Sequence, residues 1–301
     1  MRFATYEYLG TVRAGVVGDR GIHAFPRGVT VLDLVRSGLP AALDAGTTVL
    51  SGPTVPVDRV RLLPPLEPPT VRDFVAFEEH VEGMVAPGTV PPEWFEAPTF
   101  YFTNPYALVG AHDDVPIPPG SRLFDYELEV AAVAGPAAIF GYTILNDWSA
   151  RDLQRREMKV QLGPAKGKDS ATTLGPWLVT ADEFTPDGDG FLDLDMRVSV
   201  NSVEIGHDRL SNMGWPFEEL LAYAARGTQV RAGDVLGSGT CGNGGCLAEL
   251  WGRRGTQDPP PLKPGDVIEM TVEGIGTIRN TVVPGVDLPP VRAARTRQRA
   301  R

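Results

Sequence analysis

Four prolines within nine residues, Pro64, Pro65, Pro68 and Pro69, interrupt the chain between Leu62 and Thr70. Proline fixes φ and lacks a backbone N–H, so this run fits neither a central strand nor a helix interior. It reads as a linker over 63–70, separating a first unit (1–62) from a larger one (71–290). Upstream, residues 3–8 and 14–19 read as short strands with tight turns, followed by a short helix over 31–36. Downstream, Phe74, Phe77, Val81 and Met84 have near-helical spacing and predict a helix from Val71 to about Met84. The proline-rich stretch 87–119 reads as a loop or lid. From Tyr126 onward the chain is β-rich, with one helix starting near Ser149 and further helical turns between Trp215 and Arg226. There is no βαβ alternation and no phosphate-binding glycine fingerprint opening a helix. The expectation is a mixed, mostly antiparallel α+β fold with a small β-rich N-terminal unit.

With 301 residues the chain can bury a substantial core. The formal net charge of −10 argues against nucleic acid or an anionic membrane as a partner. Positive charge gathers at the end, in Arg292, Arg295, Arg297, Arg299 and Arg301, and 291–301 reads as a disordered, solvated tail. The two cysteines, Cys241 and Cys246, lack zinc-finger spacing and a second pair, and no histidine is near them in sequence. Neither a disulfide framework nor cysteine catalysis is expected, and a reducing cytoplasm fits best. The N-terminus lacks the apolar core of a signal peptide, and no stretch is long enough to span a membrane.

The residues that point to chemistry are acids. Read as a strand, 124–135 places Glu127 and Glu129 on one face and Leu128 and Val130 on the other. Neighbouring carboxylates repel unless a cation or protons lie between them, although an isolated Glu-x-Glu is commonly just a solvent face. Asp147 stands where a strand over 138–145 gives way to the next helix. Ser149 and Asp152 have capping-box spacing, which leaves Asp147 free of a capping role. Arg151 and Gln154, three apart on that helix, share a face. Asp73 and His80, almost two helical turns apart, would project from one face about 10 Å apart along the axis. That suits a ligand and a base on either side of a substrate. Asp73, Glu127, Glu129 and Asp147 together form an all-oxygen set for a hard cation: Mg²⁺, Mn²⁺ or Ca²⁺.

The segment 146–154 (Asn146, Asp147, Trp148, Ser149, Ala150, Arg151, Asp152, Leu153, Gln154) resembles the fumarylacetoacetate hydrolase family. So do 126–129, 174–180, 237–240 and 247–251, and the likeness runs in order from about 71 to 283. The resemblance implies a small N-terminal β-rich domain followed by a rolled mixed sheet, usually as a homodimer. It implies metal ligation by Asp73, Glu127, Glu129 and Asp147, and a dyad in which Glu249 orients His80 to deprotonate water. Arg151, Gln154, Lys168 and Thr240 match groups that bind substrate oxygens and stabilise negative charge. Lys166 competes with Lys168 for its role, because the segment is one residue longer than the nearest family pattern. The family's anchors for a distal carboxylate find no match: Val75 replaces an aromatic, and 83–87 replaces the segment that would hold an arginine.

The implied activity is metal-dependent hydrolysis of a carbon–carbon bond in a small 1,3-diketo acid. The same scaffold also supports decarboxylases, hydratases and isomerases that act on keto acids through a metal-bound enolate. A metal-stabilised binding protein without activity is the third reading. The presence of a base and its orienting acid favours the hydrolase.

Overall fold

The computed structural model describes residues 1–85 and 89–297. Among them, a twelve-stranded sheet carries the architecture. Its main path runs Thr54–Val55, Gly21–Ala24, Thr11–Gly18, Arg2–Tyr8, Thr172–Thr180, Ile139–Asp147, Leu128–Ala134, Val235–Gly237, Val71–Phe74, Phe100–Thr103. Most neighbours are antiparallel, while Val235–Gly237 runs parallel to Val71–Phe74. A second sheet of five strands is built on Asp195–Val200, Val203–Arg209, Val267–Val272 and Gly276–Val283, with Val115–Pro116 at its edge. Mixed sheets with six short helices among the described residues make this the α+β class expected.

Strand Leu128–Ala134 is buried along its whole length, because both faces of the sheet are covered. Ala131 and Val133 pack with Phe3, Val35, Phe140 and Leu178 on the side of helices Val31–Ser37 and Leu39–Val49. Val130 and Ala132 face the opposite way, into a core shared with Met196, Val198, Ile268 and Met270 of the second sheet. Two covered faces explain why the strand from Val130 to Ala134 is a continuous apolar run rather than an alternating one. Each fully buried Val, Leu or Ile contributes about 1.5–3 kcal/mol. A carboxylate placed among such residues is therefore costly unless it has a partner.

The N-terminal strands extend this same sheet: Arg2 pairs with Val179 and Phe3 with Leu178. Three expectations need correction. The helix expected over 71–84 divides into strand Val71–Phe74 and helix Glu78–Val85. Pairing with Val235–Gly237 on one side and Phe100–Thr103 on the other outweighs the helical spacing of Phe74, Phe77, Val81 and Met84. Asp73 and His80 therefore lie on different elements. The capping box at Ser149 is absent too, since Ser149–Ala150 forms a short ladder with Phe124–Asp125 and the helix runs Arg151–Met158. There the Ser149 hydroxyl donates to the Asp147 carbonyl at 2.9 Å. The Asp152 carboxylate instead accepts from the Ser121 hydroxyl (2.9 Å) and the Arg122 N–H (2.7 Å). Finally, the stretch expected to be a loop over 87–119 begins outside the described residues but then forms a 3₁₀ turn, Pro92–Phe95, and strand Phe100–Thr103. Of the arginine-rich tail, 291–297 are exposed and carry no helix or strand, while 298–301 lie outside the described residues.

Candidate active site

Strand register assembles the acids. Leu128 pairs with Asn146, which sets Glu127 beside Asp147 at the end of the ladder, where the Asp147 N–H donates to the Glu127 carbonyl at 3.3 Å. On the other side Ala131 pairs with Gly237, and Gly237 pairs with Asp73. A Cβ at residue 237 would stand 2.5 Å from Asp73 Oδ1 and 2.9 Å from Glu129 Oε2. Glycine there leaves the two carboxylates room to converge. One oxygen each from Asp73, Glu127 and Glu129 can be chosen so that all lie within 4.8 Å of one another, and all three residues are buried.

Electrostatics show what this cluster lacks. Burial and the charge of Asp147 push the Asp73 carboxyl well above the usual range; burial and the charge of Asp73 do the same to Glu129. Burial also opposes ionisation of Glu127, but Lys168 and Arg151 override it and hold that carboxyl well below its ordinary value. Asp73 Oδ1, Asp147 Oδ1 and both Glu129 oxygens are buried without a hydrogen-bond partner. Among the described residues, five buried carboxylates (Asp73, Asp125, Glu127, Glu129, Asp147) gather here around two buried cations, Arg151 and Lys168. Orphaned oxygens and an excess of negative charge are what a hard divalent cation satisfies, so the donor set fits the expected metal.

Lys168 Nζ donates to Glu127 and, at 2.5 Å, to Asp147 Oδ2. Burial alone would lower its pKa, but Asp147 and Glu127 more than offset that and keep the ammonium protonated. Lys166 is exposed and pairs with Asp169 at 2.9 Å, so only Lys168 enters the site. Arg151 is held by Asp125 (Nε to Oδ2, 2.8 Å) and reaches Glu127 (Nη1 to Oε1, 2.7 Å) and the side-chain amide oxygen Oε1 of Gln154 (3.2 Å). The shared face expected of Arg151 and Gln154 is thus present.

A second wall comes from helices Glu78–Val85 and Leu247–Arg254, which pack against each other. His80 Nδ1 stands 3.8 Å from Glu249 Oε2, close for charges but long for a hydrogen bond. Glu249 is fully buried, with Arg253 Nε 3.0 Å from its other oxygen. Asp73, His80, Glu127, Glu129, Arg151, Gln154, Lys168 and Thr240 all line one cavity of about 320 Å³. Asp147 and Glu249 stand behind that lining. Two wider cavities, of about 640 and 730 Å³, lack such a convergence of acids, so chemistry rather than size identifies the site.

Three members escaped the sequence reading. Tyr101, in the proline-rich stretch, donates its hydroxyl to Asp147 Oδ2 at 2.5 Å. Asp125 clamps Arg151 and accepts the Leu247 and Ala248 N–H groups at 2.9 and 3.0 Å. Carrying the period of two back from Glu129 and Glu127 would have reached it. Cys246 caps its helix, its Sγ accepting from the Glu249 N–H at 3.4 Å.

The sequence profile described as fumarylacetoacetate (FAA) hydrolase C-terminal matches residues 70–283. The chain belongs to the fumarylacetoacetate hydrolase family. A fumarylacetoacetase of Arabidopsis thaliana is 30% identical over 257 residues, which cover 64% of this chain and 61% of the plant protein. The chain thus matches about three-fifths of that relative's length. Among solved structures, the fumarylacetoacetate hydrolase of the psychrophile Exiguobacterium antarcticum superposes with a TM-score of 0.73 at 27% identity, covering 94% of this chain and 99% of that one. A 5-carboxymethyl-2-hydroxymuconate delta-isomerase of Mycobacterium smegmatis superposes at 0.65 and 26%, covering 94% and 100%. The family thus includes hydrolases and isomerases, and the fold of this member spans nearly the whole of both chains. Among the described residues no helix is long and apolar enough to cross a membrane.

Proposed function

We propose that the protein is a divalent-metal-dependent hydrolase that cleaves a carbon–carbon bond in a small 1,3-diketo acid of the acylpyruvate kind. One observation carries the reading: His80, backed by buried Glu249, shares a cavity with three converging carboxylates. Asp73, Glu127 and Glu129, with Asp147 beside them, would hold Mg²⁺, Mn²⁺ or Ca²⁺, supplying a Lewis acid for the two keto oxygens. His80 removes a proton from water, whose oxygen attacks the acyl carbonyl carbon. Glu249, whose Oε2 lies 3.8 Å from His80 Nδ1, orients the imidazole and stabilises its protonated form. Lys168 faces the oxyanion with a fixed positive charge, while Arg151, Gln154 and Thr240 bind the remaining oxygens. Breaking the carbon–carbon bond leaves an enolate, whose carbon takes back the proton from the imidazolium. A soluble cytoplasmic homodimer completes the proposal.

The likeness to a delta-isomerase favours a second reading, in which the same site moves a double bond through an enolate without attacking water. Glu249→Gln separates the two. With metal saturating, it should slow cleavage of an acylpyruvate about 10²-fold or more, within the span of general-base catalysis. Enolisation of the same acid, followed by solvent deuterium exchange, should be spared. Undiminished cleavage would remove the dyad from the mechanism, whereas a wild type that exchanges deuterium but does not cleave would leave the isomerase reading standing.

A further inference from the structure

The wall opposite the oxygen cluster holds donors of a different chemical kind. His80, Cys246 and Glu127 offer one nitrogen, one sulfur and one oxygen within 4.8 Å of one another, and all three residues are buried. Cys246 Sγ is 3.9 Å from His80 Nδ1. Glu249 Oε2, buried and without a hydrogen-bond partner, lies 3.8 Å from the same nitrogen. The long sequence distance between His80 and the cysteines hides this grouping, which forms only when helices Glu78–Val85 and Leu247–Arg254 pack together.

We propose that His80, Cys246 and Glu127 form a second cation site, selective for zinc and other thiophilic divalent ions, that overlaps the carboxylate site. Imidazole, thiolate and carboxylate are the ligands zinc takes, and three of them leave a fourth tetrahedral position for water or Glu249. Mg²⁺ and Ca²⁺ demand oxygen and have no use for the sulfur, so each site prefers its own class of ion. Burial pushes the Cys246 thiol well above its ordinary range, so the ion itself must displace that proton on binding; the nearby Arg151 charge and the Glu249 N–H that Sγ already accepts favour the thiolate once formed. Glu127 belongs to both trios, and His80 is the base in the proposed hydrolysis. An ion here would therefore withdraw one ligand from the carboxylate cluster and the proton acceptor from the reaction. Zinc would act as an inhibitor, not a substitute cofactor.

The test is a titration of the metal-stripped full-length protein with Co²⁺, a spectroscopic stand-in for zinc. Wild type should develop a saturable near-ultraviolet thiolate-to-cobalt charge-transfer band, and added Zn²⁺ should abolish it. Mg²⁺ should not. Cys246→Ser should lose the band, with Zn²⁺ affinity weakened about 10–100-fold or more, while still gaining thermal stability from Mg²⁺. Cys241→Ser, which alters the other buried cysteine, should keep the band. If Cys246→Ser fails to fold, His80→Gln serves instead and should weaken and shift the band. A wild-type protein without a charge-transfer band, or a band unchanged in both Cys246→Ser and His80→Gln, overturns the proposal. These readouts are independent of turnover, so they stand apart from the hydrolase reading.

Discussion

The two walls of the cavity are made differently. The acids stand on paired strands of the central sheet, where ladder register fixes Glu127 beside Asp147 and Asp73 beside Gly237. His80 and Glu249 stand on two short helices whose spacing depends on side-chain packing and on small residues at the contact. A Cβ at Gly83 would collide with Glu249 Cγ, and one at Gly252 with the Gly83 carbonyl. Hydrogen-bonded register is discrete, because a slip by one residue reverses every side chain. Helix packing tolerates finer adjustment. The wall of acids is thus set by the ladder, and the wall carrying His80 and Glu249 by how closely two helices approach.

The largest expected effect tests whether the walls have separate duties. Glu129→Ala removes a buried ligand and should abolish the thermal stabilisation by Mg²⁺ or Mn²⁺, together with at least about 10³-fold of turnover. His80→Ala should lose about 10²-fold or more of turnover and retain the Mg²⁺-induced shift. Scanning calorimetry beside initial rates reads both. Loss of the Mg²⁺ shift in His80→Ala would merge the two walls into one.

Smaller effects should follow from the glycines. Gly237→Ala places a methyl group between Asp73 and Glu129 and should weaken Mg²⁺ binding about 10–100-fold. Gly83→Ala pushes on Glu249 instead. It should lower kcat about tenfold by displacing the dyad, with Mg²⁺ affinity unchanged. Calorimetric titration with Mg²⁺ against kcat distinguishes the two, and the same response in both variants would contradict the division.

The smallest effect is in pH. Asp73 and Glu129 keep their protons to a higher pH in the folded chain than in the unfolded one. Each therefore stabilises the metal-free fold in acid, and that contribution is lost as pH rises through the folded value. Glu127, held low, stays ionised throughout this window and adds no slope. As pH rises from the ordinary carboxyl range through the raised folded values, the Tm of metal-stripped protein should fall, while the increment from Mg²⁺ grows as the ion competes with fewer protons. Melting curves at several pH values, with and without Mg²⁺, check this. A Mg²⁺ increment that is flat in pH would mean these two acids are not ligands.

Glu127, Glu129 and Asp147 were legible because strand periodicity and one segment, 146–154, keep them close in sequence, whereas Asp73 entered through a helical spacing that the fold does not adopt. The α+β class followed from the absence of parallel alternation. Less local features were hidden. Val71–Phe74 is a strand because of partners around residues 235 and 100, neither visible in a window around Asp73. Tyr101 resembles any aromatic on a short strand until its hydroxyl is found on Asp147. Cys246 has no histidine near it in sequence, and only the helix contact gives it one. What the chain spells locally could be read, and what distant elements bring to it could not.

The parallel pairing of Asp73 with Gly237 also has a kinetic side. It joins positions separated by more than half the chain, the kind of contact that forms late because its loop-closure entropy must be met first. During synthesis, Asp73 and Glu129 emerge well before the strand that lies between them. An ion held there as proposed would therefore find its ligands only after the long-range topology is complete. Its presence should slow unfolding while leaving the rate of folding nearly unchanged.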